Sequence, residues 1–139
     1  MAAPMKVDIV SPEKVLFSGE ANMVITRTAG GGEIAFQAGH APFLGELVEN
    51  HTRIYLTDGK IQDVAVHRGF VAVAEGTVSI LSDVAELAED IDVTRAREAL
   101  ERHERTLKDE EIEARIADAV AGKARARARL VATGNSFTA

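Results

Sequence analysis

The chain has 139 residues, a formal net charge of −6 and 46% apolar side chains, few of them aromatic. That length and apolar content suffice to bury a core, whereas the acidic balance argues against general nucleic-acid binding, which requires a basic face. The absence of cysteine excludes disulfides, thiolate zinc ligands and thiol nucleophiles, and no apolar run approaches the roughly 20 residues of a membrane span.

Short apolar segments separated by glycines and prolines make up the first part of the chain. Asp58-Gly59 is a strong signal for a two-residue hairpin turn, and Glu75-Gly76 repeats the device. Many short strands at close spacing predict an all-β sandwich or barrel. The predicted strands are residues 6–10, 15–17, 21–28, 33–36, 44–48, 53–56, 61–66, 70–74 and 77–81.

Beyond Glu86 the composition becomes that of helices. No glycine occurs until Gly122, no proline follows, and Asp92 is placed to cap the first helix. A turn at 108–111 predicts an antiparallel helix pair, so we expect a β-domain at 1–88 and a helical hairpin at 89–139 that ends in a frayed tail. The predicted apolar stripes are Val93, Ala96, Leu100, His103 and Leu107 in the first helix, and Ile112, Ile116, Ala119 and Val120 in the second.

No catalytic or metal-binding motif emerges from the residues. The glycine run at 30–32 lacks the spacing of a phosphate-binding loop and predicts a hairpin loop. No two of the four histidines have local metal-ligand spacing; His40 reads as a turn-packing residue and His103 as a core histidine. No serine lies in a nucleophile elbow. We therefore expect no catalytic residues and no metal ligands.

The arginines of the helical part are more informative. Asp92, Arg95 and Arg102 share one face of the first helix, and Arg125 and Arg129 are neighbours four residues apart on the second. In an antiparallel pair these side chains, with Glu86, would surround a space of polyphosphate size, and guanidinium groups suit phosphate oxygens. The alternative is a solvated face laced by ion pairs, which spacing alone favours.

Several short segments together resemble the epsilon subunit of rotary ATP synthases, a family called delta in mitochondria. The resemblance spans about residues 5–132, in the same order of strands followed by helices. The matching segments are residues 7–13, Phe17-Ser18-Gly19, Gly32-Glu33-Ile34, Gly39-His40-Ala41-Pro42, residues 69–73, residues 78–86 and residues 91–96.

The resemblance implies a flattened ten-stranded β-sandwich followed by an antiparallel two-helix hairpin. It implies a non-catalytic rotor subunit of the central stalk of a proton-translocating F-type ATP synthase, seated on the gamma subunit and the polar loops of the c-ring. Such a subunit couples proton-driven rotation to ATP synthesis and requires no cofactor. We expect it at the cytoplasmic face of the bacterial plasma membrane, bound peripherally through the complex. The residues expected at the c-ring and gamma interface are Ser11, Gly31, Gly32, Glu33 and His40.

In some bacterial members an Ile/Leu-Asp-x-x-Arg-Ala motif binds ATP as a regulatory ligand and favours the folded hairpin. Without ATP the helices extend towards the beta and alpha subunits and inhibit hydrolysis. The resemblance therefore favours a nucleotide site over a solvated face. Its implied residues are Glu86, Ile91, Asp92, Arg95, Ala96, Arg102, Arg125 and Arg129.

Two rival functions follow from the same residues. A free-standing ATP-sensing module would use the same helix hairpin without any complex. A small β-barrel metal enzyme of the cupin kind would need an H-x-H ligand pair, which the sequence lacks.

Overall fold

The computed structural model describes residues 3–135, in which nine strands precede two helices. The helices are α1, Val93–Asp109, and α2, Glu113–Ala132, and a 3₁₀ turn at Ala88–Asp90 leads into them. The strands are β1 Met5–Val10, β2 Val15–Thr28, β3 Gly32–Gln37, β4 Phe43–Leu47, β5 Asn50–Leu56, β6 Ile61–Val66, β7 Gly69–Ala74, β8 Thr77–Leu81 and β9 Ala85–Leu87.

The strands form two layers that share β2. One layer has the order β2-β1-β8-β7-β4, in which β1 and β8 run parallel, and the other has the order β3-β2-β5-β6-β9. The first half of β2 pairs with β1 and its second half pairs with β3 and β5. A register shift between Ala21 and Met23 marks the change of partner. The predicted sandwich followed by a helical hairpin is confirmed.

The strand count differs from the ten that the resemblance implies, because residues 3–135 form nine. The separate strands predicted at 15–17 and 21–28 are one strand of 14 residues. Gly19 interrupts neither half, because it pairs with Val7 in the same register as its neighbours. Continuous backbone pairing therefore carries the chain through the point where composition suggested a break.

Alternating side chains fill the space between the two layers. In β1 Met5, Val7 and Ile9 point inward, while Lys6 and Asp8 point outward. Ile54 of β5 and Ile80 of β8 are completely buried in the same core. Because aliphatic side chains from both layers meet here, the sandwich has one continuous apolar interior.

Both ends of the helical hairpin are capped by specific hydrogen bonds. The Asp92 carboxylate accepts from the Arg95 backbone N–H at 3.0 Å, which confirms the predicted cap of α1. The turn between the helices covers residues 110–112. After α2, the positive φ of Gly134 lets the Asn135 N–H bond to the Leu130 carbonyl at 2.9 Å. Residues 133–135 therefore close the end of α2; the frayed tail stays a prediction, and residues 136–139 lie outside the described residues.

The predicted apolar stripe of α2 is wrong in its most hydrophobic members. Ile112 is 52% exposed and Val120 is 54% exposed. The buried side chains are instead the small residues that alternate with arginine near the end of α2. The reason is that α2 contacts two surfaces: Ala126 and Leu130 pack against α1, and Ala128 and Ala132 pack against Ala65 of β6. Two faces lined with alanine do not produce the single stripe of a helix with one neighbour.

None of the helices within residues 3–135 is both long enough and apolar enough to cross a membrane. The strands end at Leu87, and α2 lies on β5 and β6. The division into a β-domain at 1–88 and a helical hairpin at 89–139 stays a prediction, as does the independent folding of residues 1–88.

Candidate functional site

A cavity of about 650 Å³ lies where the end of the sandwich meets the two helices. Its walls come from the hinge at 86–92, from one face of α1 and from the facing side of α2. The Asp92 cap fixes where α1 begins and therefore which face of α1 looks into the cavity. The antiparallel hairpin then returns the end of α2 to the hinge, so side chains distant in sequence share one space.

All eight residues predicted for a nucleotide site line this cavity. The hinge and α1 contribute six of the eight, among them Asp92 and Arg95, and α2 contributes Arg125 and Arg129. Arg127, between these two arginines, lines a different cavity against the sheet, as the helical spacing predicts. The structure thus gathers the predicted set, and the binding of nucleotide to it stays a prediction. The cavity lining also includes Asp90, Glu98, Ala99, His103 and Gly122.

The charges of the cavity are unequally engaged. Glu86 accepts a hydrogen bond from Nε of Arg129 at 2.8 Å. Within residues 3–135, no acidic side chain forms an ion pair with Arg95, Arg102 or Arg125. Three guanidinium groups therefore face the space with their donors available for an anion. This unpaired arrangement does not fit the solvated face laced by ion pairs.

His103 belongs to the cavity wall as well as to the contact between the helices. Its half-buried ring packs directly on Gly122 of α2, where even a methyl group would collide with the ring. Burial lowers the pKa of His103, and the positive charges of Arg102 and Arg125 lower it further. Sequence reasoning placed this residue in the core; the signal it missed is a glycine at the facing position of the partner helix.

A buried histidine continues the site into the sandwich. His67 follows β6, and its Nε2 lies 3.1 Å from the same Glu86 oxygen that accepts from Arg129. Its Nδ1 lies 2.8 Å from a carboxylate oxygen of Glu49. Nothing in the sequence pattern indicated this contact, because the four residues come from four separate segments.

The residues predicted for the c-ring and gamma interface do not form one continuous patch. Ser11 and the glycine turn at 31–32, with Glu33 beside it, lie at the same end of the strands. Four strand spacings, about 19 Å, separate Ser11 from that turn. His40 lies at the opposite end of β4, where its ring contacts the rings of Phe36 and Phe43.

A second surface feature lies on the layer that faces away from the helices. Leu44 is 75% exposed and Phe70 is 52% exposed, on the neighbouring strands β4 and β7. Leu81 of β8 stands opposite Phe70 and continues the row through Val10 to Val15. We call Val10, Val15, Leu44, Phe70 and Leu81 the apolar face.

Comparisons with known proteins agree with this architecture. The family model for the beta-sandwich domain of the ATP synthase delta/epsilon chain matches residues 4–88. An ATP synthase epsilon chain of Thermobifida fusca is 45% identical over 128 residues, which cover 89% of this chain and 88% of the relative. One from Streptomyces avermitilis is 41% identical over 102 residues, covering 73% and 82%.

Two solved assemblies contain chains of similar fold. A chain of the Euglena gracilis mitochondrial ATP synthase, resolved with OSCP, F1 and c-ring, matches with a TM-score of 0.84 and 21% identity, over 97% of this chain and 84% of that one. A chain of the central stalk and c-ring of the Tetrahymena thermophila enzyme matches with a TM-score of 0.61 and 20% identity, over 95% and 98%. At these identities the likeness establishes the shared fold.

Proposed function

The chain belongs to the ATP synthase delta/epsilon family, and we propose that it serves as a rotor subunit in the central stalk of an F-type, proton-translocating ATP synthase. As an epsilon chain it is non-catalytic. In that position it would couple proton-driven rotation to ATP synthesis and reach the membrane only through the complex. The identity of the relatives and the central-stalk origin of the Tetrahymena chain support this assignment.

We further propose that the cavity between sandwich and hairpin binds ATP as a regulatory ligand. The observation that carries this proposal is the set of three guanidinium groups, Arg95, Arg102 and Arg125, that face a cavity of about 650 Å³ and form no ion pair with an acidic side chain of residues 3–135. Ile91 and Ala96 supply apolar wall on which a base can lie. Since the chain has no phosphate-binding loop and no candidate base for a water molecule, we expect binding without turnover.

Titration calorimetry with ATP tests the site. Replacing Arg125 by Ala should weaken binding by about 1.5–3 kcal/mol, the scale of a hydrogen bond to a charged group. Lys123→Ala is the matched control, since Lys123 is two residues away on α2, pairs with Glu104 and does not line the cavity. Equal affinities of the wild type and both variants would refute the site, and hydrolysis of ATP by the isolated chain would refute the regulatory assignment.

The hairpin is proposed as the moving part of this regulation. Among its contacts with the sandwich, Ala128 and Ala132 pack on Ala65, small side chains that bury little apolar surface, and Arg129 pairs with Glu86. Bound ATP would hold α1, α2 and the hinge together and so shift the population towards the folded hairpin. Released helices would reach the beta and alpha subunits. Deleting residues 89–139 from the assembled enzyme should then raise ATP hydrolysis at low ATP, and unchanged hydrolysis at low and high ATP would exclude the switch.

The apolar face is the proposed seat of the gamma subunit. It lies on the layer opposite the helices, so a partner can occupy it while the hairpin stays folded. Exposed apolar side chains in one contiguous row indicate a protein contact. The end of the strands that carries Ser11 and the glycine turn is then proposed to meet the polar loops of the c-ring.

Affinity purification of the complex tests this placement and the rival of a free-standing sensor. Wild-type chain should recover alpha, beta and gamma subunits, and Phe70→Ser should recover much less gamma. Ile61→Ser is the control, because Ile61 is 49% exposed on β6 of the other layer. Recovery of the wild-type chain alone would favour the sensor over the rotor.

A further inference from the structure

The strongest feature that the proposed function does not explain is a buried histidine that joins two acidic side chains beside the nucleotide cavity. Glu49, His67, Glu86 and Arg129 follow one another through contacts of 2.8, 3.1 and 2.8 Å. The His67 side chain is only 2% exposed. Glu49 lies between β4 and β5, and His67 follows β6. Arg129 lies on α2 at the cavity wall.

The His67 ring is held between two acidic side chains. Its two nitrogens lie within hydrogen-bond distance of carboxyl oxygens of Glu49 and Glu86. The ring therefore links these two side chains and, through Glu86, reaches Arg129.

Hydrogen bonds and a close contact fix the backbone at and after His67. Its N–H donates to the Val84 carbonyl at 3.0 Å. The next two residues both have positive φ, 66° at Arg68 and 138° at Gly69. The Ser82 hydroxyl donates to the Arg68 carbonyl at 2.6 Å, and any side chain at position 69 would collide with the Leu81 carbonyl. A non-glycine residue in this conformation costs free energy and persists where the surroundings require it.

We propose that His67 is a positioning residue for the nucleotide cavity, a role that rests on the proposed function above. From beneath Glu86 it fixes the oxygen that accepts from Arg129 Nε, and so fixes the plane of that guanidinium at the cavity wall. The same contact ties α2 to the sandwich. His51 and Arg127 line the neighbouring cavity together with Glu49.

A double-mutant cycle tests whether His67 acts through Arg129. His67→Gln should weaken ATP binding about tenfold, as expected when one hydrogen bond to a charged group is lost. Arg129→Ala should weaken it at least as much. Adding His67→Gln to Arg129→Ala should then change little, because coupled residues are not additive. Full additivity of the two effects would overturn the proposal.

His51→Gln is the matched control. His51 also contacts a carboxylate, that of Asp63, on the same layer of the sandwich, but it has no link to Glu86. Its ATP affinity should equal that of the wild type. A loss equal to that of His67→Gln would mean that any histidine–carboxylate pair in this layer matters, and would also overturn the proposal.

A further readout does not depend on nucleotide. In His67→Gln, amide hydrogen exchange of residues 126–132 should rise about tenfold, the change expected for the loss of one hydrogen bond to a charged group. Exchange in β1 and β8 should stay at the wild-type rate and show that the variant is folded. A wild-type chain that binds no ATP would refute the nucleotide site, and exchange in α2 would then decide by itself whether His67 holds α2 on the sandwich; unchanged exchange in α2 would overturn the proposal.

Discussion

The sandwich and the helical hairpin are stabilised in different ways. Between the two layers of the sandwich, fully buried Val, Ile, Leu and Phe side chains form one continuous core. The hairpin has two small clusters instead, one around Leu100 and Leu130 and one that joins Ala128 to Ala65 of the sandwich. Polar contacts between the two parts include the ion pair of Glu86 with Arg129.

This difference is what the proposed switch requires, because it joins a well-packed support to a part that is held by smaller contacts. Burying a large aliphatic side chain is worth about 1.5–3 kcal/mol, whereas an alanine contributes much less. Burial in the sandwich core therefore contributes much more free energy than burial between hairpin and sandwich. The free energy that attaches the hairpin is small enough for a bound ligand to outweigh or reinforce it. Local opening is expected first where apolar contacts are fewest.

The largest expected effect comes from truncating a buried side chain of equal size in the sandwich and in the hairpin. Ile54→Ala and Leu130→Ala each truncate a completely buried residue, so each should cost about 2–5 kcal/mol locally. Ile54→Ala should lower the free energy of global unfolding by that amount in urea titrations. Leu130→Ala should instead raise hydrogen exchange in α1 and α2 and leave the exchange of β1 and β8 unchanged. Equal losses of global stability would show that the two parts unfold as one unit.

A smaller effect is expected from separating the helices. Gly122→Val places a branched side chain against the His103 ring and should destabilise the closed hairpin by about 1–3 kcal/mol, although valine is the better helix former. Ala121→Val is the control, since it adds the same branched side chain to the neighbouring position of α2. Exchange rates of α2 amides measure the opening. A closed hairpin in Gly122→Val would mean that the close approach at His103 contributes nothing.

Removing the hairpin altogether should affect the sandwich only modestly. A chain that ends at Ala88 exposes Ala65 and part of β5, and it keeps the whole continuous core. We expect one cooperative thermal transition, lowered by about 4–8 °C for each kcal/mol lost. Calorimetry of the shortened chain measures it. Loss of a cooperative transition would contradict the division at residue 88.

The smallest effect is a difference in acid sensitivity. Because the pKa of His103 is lowered in the closed hairpin, the open hairpin binds a proton more readily. The neutral His103 ring therefore contributes fully to the stability of the closed hairpin above about pH 6.5, and this contribution is lost as the pH falls through the lowered pKa. Burial raises the pKa of Asp63, but hydrogen bonds from Arg53 and His51 outweigh it and leave that pKa below its ordinary value. The contribution of Asp63 to the sandwich is therefore present above about pH 3.9 and is lost in stronger acid.

Exchange measured along a pH series checks this order, after correction for the intrinsic rate. Amides of α2 should lose protection in mild acid, while amides of β5 and β6 should keep theirs until strong acid. His103→Asn should abolish the first step, because it removes the titrating ring. Simultaneous loss of protection in both parts would contradict the assignment of the two steps.

Local sequence was sufficient for most of the strands and for the start of α1. The hairpin turns at Asp58-Gly59 and Glu75-Gly76 depend on neighbouring residues alone, and the Asp92 cap depends on the residue three positions ahead. The arginine spacings were equally local, and with the family resemblance they selected the set that lines the cavity. Each of these signals acts over a few residues, where composition and period decide the conformation.

Tertiary structure alone decided the features that depend on what a segment meets. Composition suggested a break in β2 at Ser18–Glu20, and pairing with β1 removed it. Val120 of α2 is exposed, whereas Ala126, Ala128 and Ala132 are buried, because α2 lies between α1 and the sheet. His67 gave no signal, since its partners Glu49, Glu86 and Arg129 are 18, 19 and 62 residues away along the chain. The sequence by itself determined the elements and their order, whereas burial and long-range charge pairing required the fold, because both depend on neighbours that only folding brings together.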